Sequence, residues 1–349
     1  MSYTINSLVE CENVQAALDE NFFGAASGMF NQSNPFLDYV VGDENAKVGV
    51  QEPLTARGKL KGVTVKYFNR YLETDNDFVG SNSNDCTGGG ELTENFYTYD
   101  LDETEGDSIK KSIPITDLVT GCQDDATYVG QQIQMMINVL ERKINTDGIT
   151  QAAALVGNFR STGNSNAITV DAKNTDGAWV TNLIEDVQYE FTDMEYNDKI
   201  VAIGGSKLWS QYWSAIGAGC CIDKKGIDQG ALAAGTRIMP IYDRKIDDIV
   251  GSERFFAFAP AAIQMLKYNR YGHGSPAREI TQADTVVGTV TSPFSGLTFD
   301  YRAKLECETW NFFVGLTYKF VVAPDDLFDV NDDMSGVNLF NQFTAQIAS

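Results

Sequence analysis

The stretch DDATYVGQQIQMMINVLERKINTDGITQAAALV, residues 124–156, carries the clearest periodic pattern in the chain. Apolar residues recur there at i, i+4, i+7, i+8, i+11 and i+15, on one helical face; they are Val129, Ile133, Met136, Ile137, Leu140 and Ile144. We predict a helix that starts at Thr120 or Asp124, runs to about residue 145, and continues towards Val156 after an interruption near Gly148. A helix of ~30 residues is about 45 Å long, so it would cross a whole domain as a spine.

Upstream of this spine, the chain has long segments with little core-forming content. Residues 1–50 form a leader in which Ser7 caps a short helix with Glu10 as its reciprocal partner, followed by an extended arm. GKLKGVTVKYFNRYLE and ENFYTYDLDETEGD alternate as β-strands do, and a tip rich in Gly, Asn and Ser separates them. Residues 91–107 contain seven acidic residues and no basic one. Within residues 51–118 we therefore predict a two-stranded excursion. It would be unstable as an independent domain, so we expect it to lie on another protein surface.

Downstream of the spine, helices and strands alternate. A helix is predicted over residues 179–197, and another is capped by Ser206, with an apolar side made of Leu208, Trp209, Tyr212 and Trp213. KIVAIGG, TRIMPIYD and ERFFAFAP are predicted strands, whereas AAIQMLKYNRY is predicted to be a short helix that starts after Pro260. LTFDYRAKLECETW and NFFVGLTYKFVVAP are long alternating segments, which we expect to pair antiparallel. Mixed elements in this order indicate an α+β fold.

Composition and charge limit the function classes. The 349 residues suggest about two domains, and an apolar content of 43% is sufficient for a real core. No apolar run is long enough to span a bilayer, and the N-terminus lacks the features of a signal peptide, so we expect a cytoplasmic protein. A formal net charge of −22 repels nucleic acid phosphates and anionic membranes. Specific DNA or RNA binding is therefore not expected.

Candidate reactive residues are few and scattered. The six cysteines are Cys11, Cys86, Cys122, Cys220, Cys221 and Cys307. They form no CxxC pair, and His273 is the single histidine, so the spacing of a zinc site is missing. We expect the adjacent Cys220 and Cys221 to be packing thiols, and His273 to be a loop residue without a catalytic partner. No catalytic, cofactor-binding or metal-binding residue is predicted.

Three further motifs are explained by ordinary structural roles, without a bound ligand. TGGGE at 87–91 lacks the Lys-Ser/Thr pair and the helix of a phosphate-binding loop, so we expect a flexible tip. Residues 325–336 superficially resemble a calcium loop, but counting from Asp329 places Met334 at position six and Phe340 at position twelve. We favour a solvated acidic tail there, with cation binding left open. Core packing rather than ligand stacking is expected for Phe255–Phe256, Phe312–Phe313 and the Trp209/Trp213 stripe.

The region KSIPITDLVTGCQDDATYVGQQIQMMINVLERKINTDGI resembles the major capsid proteins of tailed bacteriophages. In that family a short strand end leads into the spine helix, which closes on an acidic turn and an apolar segment. The corresponding residues here are Ile115, Thr116, Leu118 and Val119, then Glu141, Asp147, Gly148 and Ile149. FFAFAPAAIQMLKYNRY is similar to the strand, proline and small helix of the family, and the order of elements matches over nearly the whole chain.

The resemblance implies the tailed-phage major capsid fold. Its parts would be an N-terminal arm at 1–50, an extended β-hairpin loop at 51–118, a β-sheet peripheral domain with the spine helix at 119–175 and 251–323, an inserted axial domain at 176–250, and an acidic C-terminal tail at 324–349. The extended loop would lie over a neighbouring subunit, and the axial domain would sit at the capsomer centre.

The same resemblance implies a structural protein and no enzyme: a subunit that self-assembles into hexamers and pentamers of an icosahedral shell around double-stranded DNA. Implied partners are other copies of the chain, a separate scaffolding protein, a portal, decoration proteins, and packaged DNA without sequence-specific contact; no membrane is implied. The protein would be assembled in the host cytoplasm and reside in the virion. A tail-tube or other virion protein remains an alternative, and after it a soluble enzyme of unrecognised class.

Overall fold

The structure of the chain is a computed structural model that describes residues 11–23, 34–42, 54–56, 59–61, 63–68, 94–99, 101, 105–115, 125–157, 167–173, 182–194, 196–209, 237–260, 262–272, 285–322 and 340–347. The helices are α1 (Cys11–Phe23), α2 (Pro35–Gly42), α3 (Asp125–Ala154), α4 (Asn182–Asp193) and α5 (Arg244–Ile249). The strands are β1 (Leu54–Ala56), β2 (Lys59–Lys61), β3 (Val63–Phe68), β4 (Glu94–Tyr99), β5 (Asp107–Pro114), β6 (Ala167–Lys173), β7 (Ile200–Gly204), β8 (Ile238–Tyr242), β9 (Arg254–Phe258), β10 (Ile263–Tyr268), β11 (Thr285–Thr291), β12 (Thr298–Glu306), β13 (Thr309–Val322) and β14 (Phe340–Ile347).

The predicted spine is confirmed as α3, a helix of 30 residues. All six residues of the predicted apolar face are buried. The predicted interruption at Gly148 is wrong, because the helix continues through it. A Cβ atom on Gly148 would lie 2.7 Å from Cζ of Phe320 and 2.8 Å from Cε1 of Phe36. The glycine therefore marks a place where two aromatic rings approach the helix backbone closely, and not a break.

Two five-stranded sheets confirm the α+β class. The first has the order β10-β13-β12-β11, with β5 also paired to β13, and all of its pairings are antiparallel. The second has the order β6-β14-β9-β7-β8 and mixes parallel with antiparallel pairs. The predicted pairing of the last two alternating segments is confirmed as β12 and β13, whose turn lies at Cys307 and Glu308. One large core joins residues of α3 with residues of both sheets.

The segment AAIQMLKYNRY is a strand and not the predicted helix. Ile263–Tyr268 forms β10, which pairs antiparallel with Thr317–Val322 of β13. Ile263 and Leu266 are buried, whereas Lys267 is exposed. Long-range pairing with β13 therefore outweighs the helical preference that Pro260 and the two alanines suggest.

Sheet membership differs from the predicted division of the chain. β5, which falls inside the predicted extended loop, pairs with β13 over eight residues. β6 and β9, both predicted in the peripheral part, belong to the second sheet with β7 and β8. β14 falls in the predicted acidic tail, yet it lies between β6 and β9 because FNQFTAQI supplies a strand after the acidic run.

The leader also differs from an extended arm. Val14 and Leu18 of α1 are buried in the main core, as are Phe36 and Leu37 of α2. Gln15 exchanges two hydrogen bonds with the backbone of Thr291, which holds α1 against β11. The proposed cap at Ser7 lies outside the described residues. α1 and α2 therefore belong to the body of their own subunit.

Candidate assembly surfaces

The hairpin of β3 and β4 confirms the predicted two-stranded excursion. The two strands pair antiparallel from Val63 opposite Tyr99 to Phe68 opposite Glu94. They form a separate two-stranded sheet that joins neither of the larger sheets. An isolated two-stranded hairpin is marginally stable in water, so this one needs a surface to lie on.

A small contact anchors the base of this hairpin at the end of β13. The Tyr99 hydroxyl donates a 3.2 Å hydrogen bond to the carbonyl oxygen of Val322. The half-buried Tyr99 ring packs against buried Leu266 and Val321, and Leu101 just beyond it is 1% exposed. The base of the hairpin is therefore fixed to its own subunit.

Basic side chains collect on the face of the first sheet that points away from the core. The register sets Lys110 of β5 and Arg302 of β12 on either side of Phe313 in β13, so the three side chains share one face. The Arg302 guanidinium carbon lies 5.9 Å from the centre of the Phe313 ring. Lys304 is two residues further along the same face and forms an ion pair with Glu306. We call Lys110, Arg302 and Lys304 the basic row; Lys110 and Arg302 are exposed and Lys304 is half-buried.

A buried polar junction ties α2, the spine and the second sheet together. Asp243, the N-cap of α5, is 3% exposed and accepts hydrogen bonds from the Lys245 and Phe36 amides and from the Asn145 side chain. The Asn145 side-chain oxygen in turn accepts from the Leu37 amide at 2.9 Å. Buried polar atoms that are paired in this way fix the relative positions of the elements that carry them.

A second buried acid lies one turn of the spine away. Glu141 is 2% exposed, and its carboxylate accepts a 2.5 Å hydrogen bond from the Ser295 hydroxyl. Burial raises the pKa of Glu141, hydrogen bonds from Ser292 and Ser295 oppose that rise, and the charge of Asp38 adds to it. Burial likewise raises the pKa of Asp38, against a hydrogen bond from the Asn34 amide and with the charge of Asp243. The Glu141 carboxyl faces packed protein, whereas Asp38 is an exposed residue.

A cleft of about 370 Å³ surrounds Tyr318. The Tyr318 hydroxyl lies 2.6 Å from Asp107 and 3.0 Å from Asp147. Burial, followed by the two carboxylates, raises the pKa of Tyr318, so the phenol stays protonated and cannot act as a base. Burial raises the pKa of Asp147, but hydrogen bonds led by that from Lys143 outweigh it and leave the value lowered. Within the described residues, no cluster of His, Cys, Asp and Glu is suited to holding a metal ion.

Several large apolar side chains are exposed. Met135 and Val139 lie one turn apart on the outer face of α3, and Tyr189 of α4 is 64% exposed. Trp209, predicted to be a core residue, is 37% exposed and stacks near Tyr242 with ring centres 6.2 Å apart. That expectation was wrong because the ring lies beside β8, an edge strand of the second sheet. The expectation for Phe255, Phe256 and Phe312 is confirmed, and Phe313 is half-buried.

Most of the residues weighed in the sequence lie outside the described part of the chain. This applies to His273, TGGGE at 87–91, the acidic run at 325–336, and the pair Cys220 and Cys221. Cys307 is described and is an exposed free thiol. Ser206 lies within the first turn that it was expected to cap, and its amide donates to the Asp247 carboxylate. None of the described helices is long and apolar enough to cross a membrane.

The sequence patterns did not reveal the basic row. Its members come from β5 and β12, which are far apart in the chain. The alternation of β12 and β13 predicted which residues share a face, but only the register with β5 brings Lys110 beside Phe313. No local motif therefore carried the signal.

No protein-family model matches the chain, and no curated protein is similar to it in sequence. Solved structures similar to it include the cyanophage A-1(L) capsid asymmetric unit, with 10% identity, a TM-score of 0.47, and coverage of 93% of this chain and 98% of that chain. A chain of Mycobacterium phage Che8 has 14% identity, a TM-score of 0.43, and coverage of 90% and 92%. The SrpI encapsulin complex of Synechococcus elongatus has 9% identity, a TM-score of 0.43, and coverage of 93% and 98%. The likeness is one of fold, and phage capsid structures recur among the similar chains.

Proposed function

We propose that this chain is a structural protein, the major capsid subunit of a tailed phage, which self-assembles into a closed shell. The observation that carries the proposal is the β3–β4 hairpin, which is anchored at its base and pairs with neither large sheet of its own subunit. A hairpin of this kind gains stability by burying surface on a neighbour, and rings of identical subunits supply such neighbours. The cyanophage structure is a capsid, and we extend that role to this chain.

The finer assignments belong to the same proposal. The first sheet and the spine would form the peripheral part, and the second sheet would form the axial part at the centre of hexamers and pentamers. The hairpin would be the extended loop. The shell would be icosahedral, would enclose double-stranded DNA without sequence-specific contact, and would reside in the virion after assembly in the host cytoplasm. A separate scaffolding protein, a portal and decoration proteins are the further partners that we propose.

The rival functions find less support in the described residues. A tail-tube subunit is expected to lack a long spine helix, whereas residues 125–154 form one continuous helix. An enzyme requires a base or nucleophile in a cleft. In the described cleft the Tyr318 hydroxyl is held protonated, and the Asp107 and Asp147 carboxylates lie within hydrogen-bond distance of that hydroxyl. The acidic net charge suits a container that repels the packaged genome rather than gripping it.

Assembly of the purified full-length chain tests the proposal. We expect light scattering and electron microscopy to show rings or shells far larger than the 38.3 kDa monomer. The matched variant replaces residues 69–93 with Asn-Gly, because Phe68 and Glu94 are register partners and Asn-Gly closes a two-residue hairpin turn. We expect this variant to keep the circular dichroism of the parent and to remain in small oligomers.

Two results would contradict the proposal. One is a parent protein that stays monomeric at high concentration, both alone and with the co-expressed structural proteins of its phage. The other is a shortened variant that forms shells as readily as the parent. If the shortened variant loses the circular dichroism signal of the folded parent, the comparison is repeated with a variant in which only residues 81–90 are removed.

A further inference from the structure

We propose that Glu141, Asp38 and Asp243 form a pH-sensitive seat for α2, from which the helix detaches more often as the pH rises. The three acids come from different elements: Glu141 from the spine, Asp38 from α2, and Asp243 from the cap of α5. We call them the acidic seat. The seat belongs to the folded subunit, so it operates whether or not shells form.

Hydrogen bonds place the first turn of α2 on the other two members of the acidic seat. The Phe36 amide donates to the Asp243 carboxylate at 3.2 Å, and the Leu37 amide donates to the Asn145 side chain at 2.9 Å. Asn145 is four residues after Glu141, so the two side chains lie one turn apart on the same face of the spine. The first turn of α2, which carries the third acid, therefore lies against the spine and the cap of α5 together.

The charges within the acidic seat act on one another. The charge of Asp38 acts on Glu141, and the charge of Asp243 acts on Asp38. Within the part of the chain that the structure describes, no basic side chain offsets either effect. Asp147 of the same helix differs, because Lys143 lies beside it. The acidic seat is therefore a place where negative charges meet without a compensating base.

The elements around α2 supply groups that are neutral, acidic or engaged elsewhere. The turn between β11 and β12 brings the hydroxyls of Ser292 and Ser295 to Glu141. Glu12 of α1 is exposed and is itself an acid. The basic residues of the spine, α5 and β10 are exposed or paired with other acids; they are Arg142, Lys143, Arg244, Lys245 and Lys267. Loss of protons from the acidic seat is therefore not compensated by its surroundings.

The direction of the pH effect follows from the two carboxyls whose pKa is raised. Burial raises the pKa of Glu141, which is 2% exposed, and partial burial raises that of Asp38. Both groups hold a proton more readily in the folded state, so their contribution to stability is lost as the pH rises from about 4 through the folded-state pKa. Detachment of α2 carries Asp38 away from the other two acids and lets water reach Glu141. A helix of eight residues gains little stability on its own, so it opens locally before the core does.

Hydrogen exchange of the full-length protein tests the acidic seat, with the amides of residues 34–42 as the reporter. After correction for the intrinsic exchange rate, we expect their opening equilibrium to rise at least about tenfold between pH 5 and pH 8, as a pKa difference of about one unit allows. Glu141→Gln and Asp38→Asn should each reduce that rise to less than about threefold. Asp248→Asn removes an exposed acid of α5 and is the matched control, which should keep the pH dependence of the parent.

Three results would overturn the acidic seat. The first is an opening equilibrium of residues 34–42 that does not change with pH in the parent. The second is a full rise in both Glu141→Gln and Asp38→Asn. The third is a control that loses the rise, because the overall surface charge would then be responsible. If circular dichroism shows that Glu141→Gln does not fold, the exposed position in Asp38→Asn decides the question. Shell formation is measured separately, so the proposed function stands or falls on its own test.

Discussion

Asn145, in the C-terminal third of the spine helix, donates a 2.9 Å hydrogen bond to the carboxylate of Asp243, the cap of α5. The same asparagine accepts from the Leu37 amide, so a single side chain connects α2, α3 and α5. The junction is buried, and water is not available to replace a lost partner. It therefore holds the N-terminal helices and the second sheet in one position on the spine.

Asn145→Ala should reduce the free energy of unfolding by about 1–3 kcal/mol, because the buried Leu37 amide loses its acceptor and the buried Asp243 carboxylate loses one of its donors. Urea unfolding followed by circular dichroism measures the change. Asn138→Ala, half-buried on the same helix, is the control and should change stability by no more than about 0.5 kcal/mol. Equal effects of the two substitutions would show that the junction contributes nothing specific.

Gly148→Ala should destabilise the protein by about 1–2 kcal/mol, although alanine favours a helix by about 1 kcal/mol. The reason is the close approach of the Phe320 and Phe36 rings, which the new methyl group would displace. Adding Phe320→Leu makes room, so the double variant should lose less than the sum of the two single variants. A stabilised Gly148→Ala protein would contradict the packing described for this position.

Glu141 should make stability depend on pH. Its pKa is raised in the folded state, so the protonated carboxyl favours folding, and this contribution is lost as pH rises from about 4 through the folded-state pKa. Glu141→Gln removes the titration, so its stability relative to the parent should increase from pH 4 towards pH 8. Thermal unfolding across this range provides the measurement. A constant difference between the two proteins would mean that the Glu141 carboxyl does not titrate differently on folding.

The turn between β12 and β13 is open to improvement. Cys307 and Glu308 both have positive φ, 47° and 60°, a conformation that costs free energy for residues other than Gly, Asn and Asp. Cys307→Asn with Glu308→Gly matches the preferred two-residue turn and should stabilise the protein by about 1 kcal/mol. Denaturant unfolding would register this as a higher midpoint with an unchanged slope. A lower midpoint would argue against the turn geometry.

Elements with a strong period of their own were predictable from the sequence. The spine was predicted from the six apolar positions at helical spacing, and β12 and β13 were predicted from alternation. β10 was mistaken for a helix because its local composition favours one, and its strand pairing depends on residues in β13. α2 was missed because its eight residues are too few to establish a period, although Pro35 is a suitable first residue.

The candidate surfaces were less predictable than the fold. Exposure of Trp209 and alignment of Lys110 with Arg302 follow from sheet order and register, which pattern alone does not determine. The hairpin was predicted because its strands alternate and its tip lacks core residues. On the proposed function, the surface that receives the hairpin belongs to a second molecule, so a pattern within one chain does not locate it.

Cross-linking of an assembly made from equal parts of ¹⁴N-labelled and ¹⁵N-labelled protein tests the central claim most directly, with Lys66 of β3 as the reporter. If the hairpin lies on a neighbouring subunit, we expect links from Lys66 to the body of the protein to include mixed-label pairs about as abundant as the two same-label pairs together. Lys66 links found only within one label, in particles that electron microscopy shows to be intact, would contradict it.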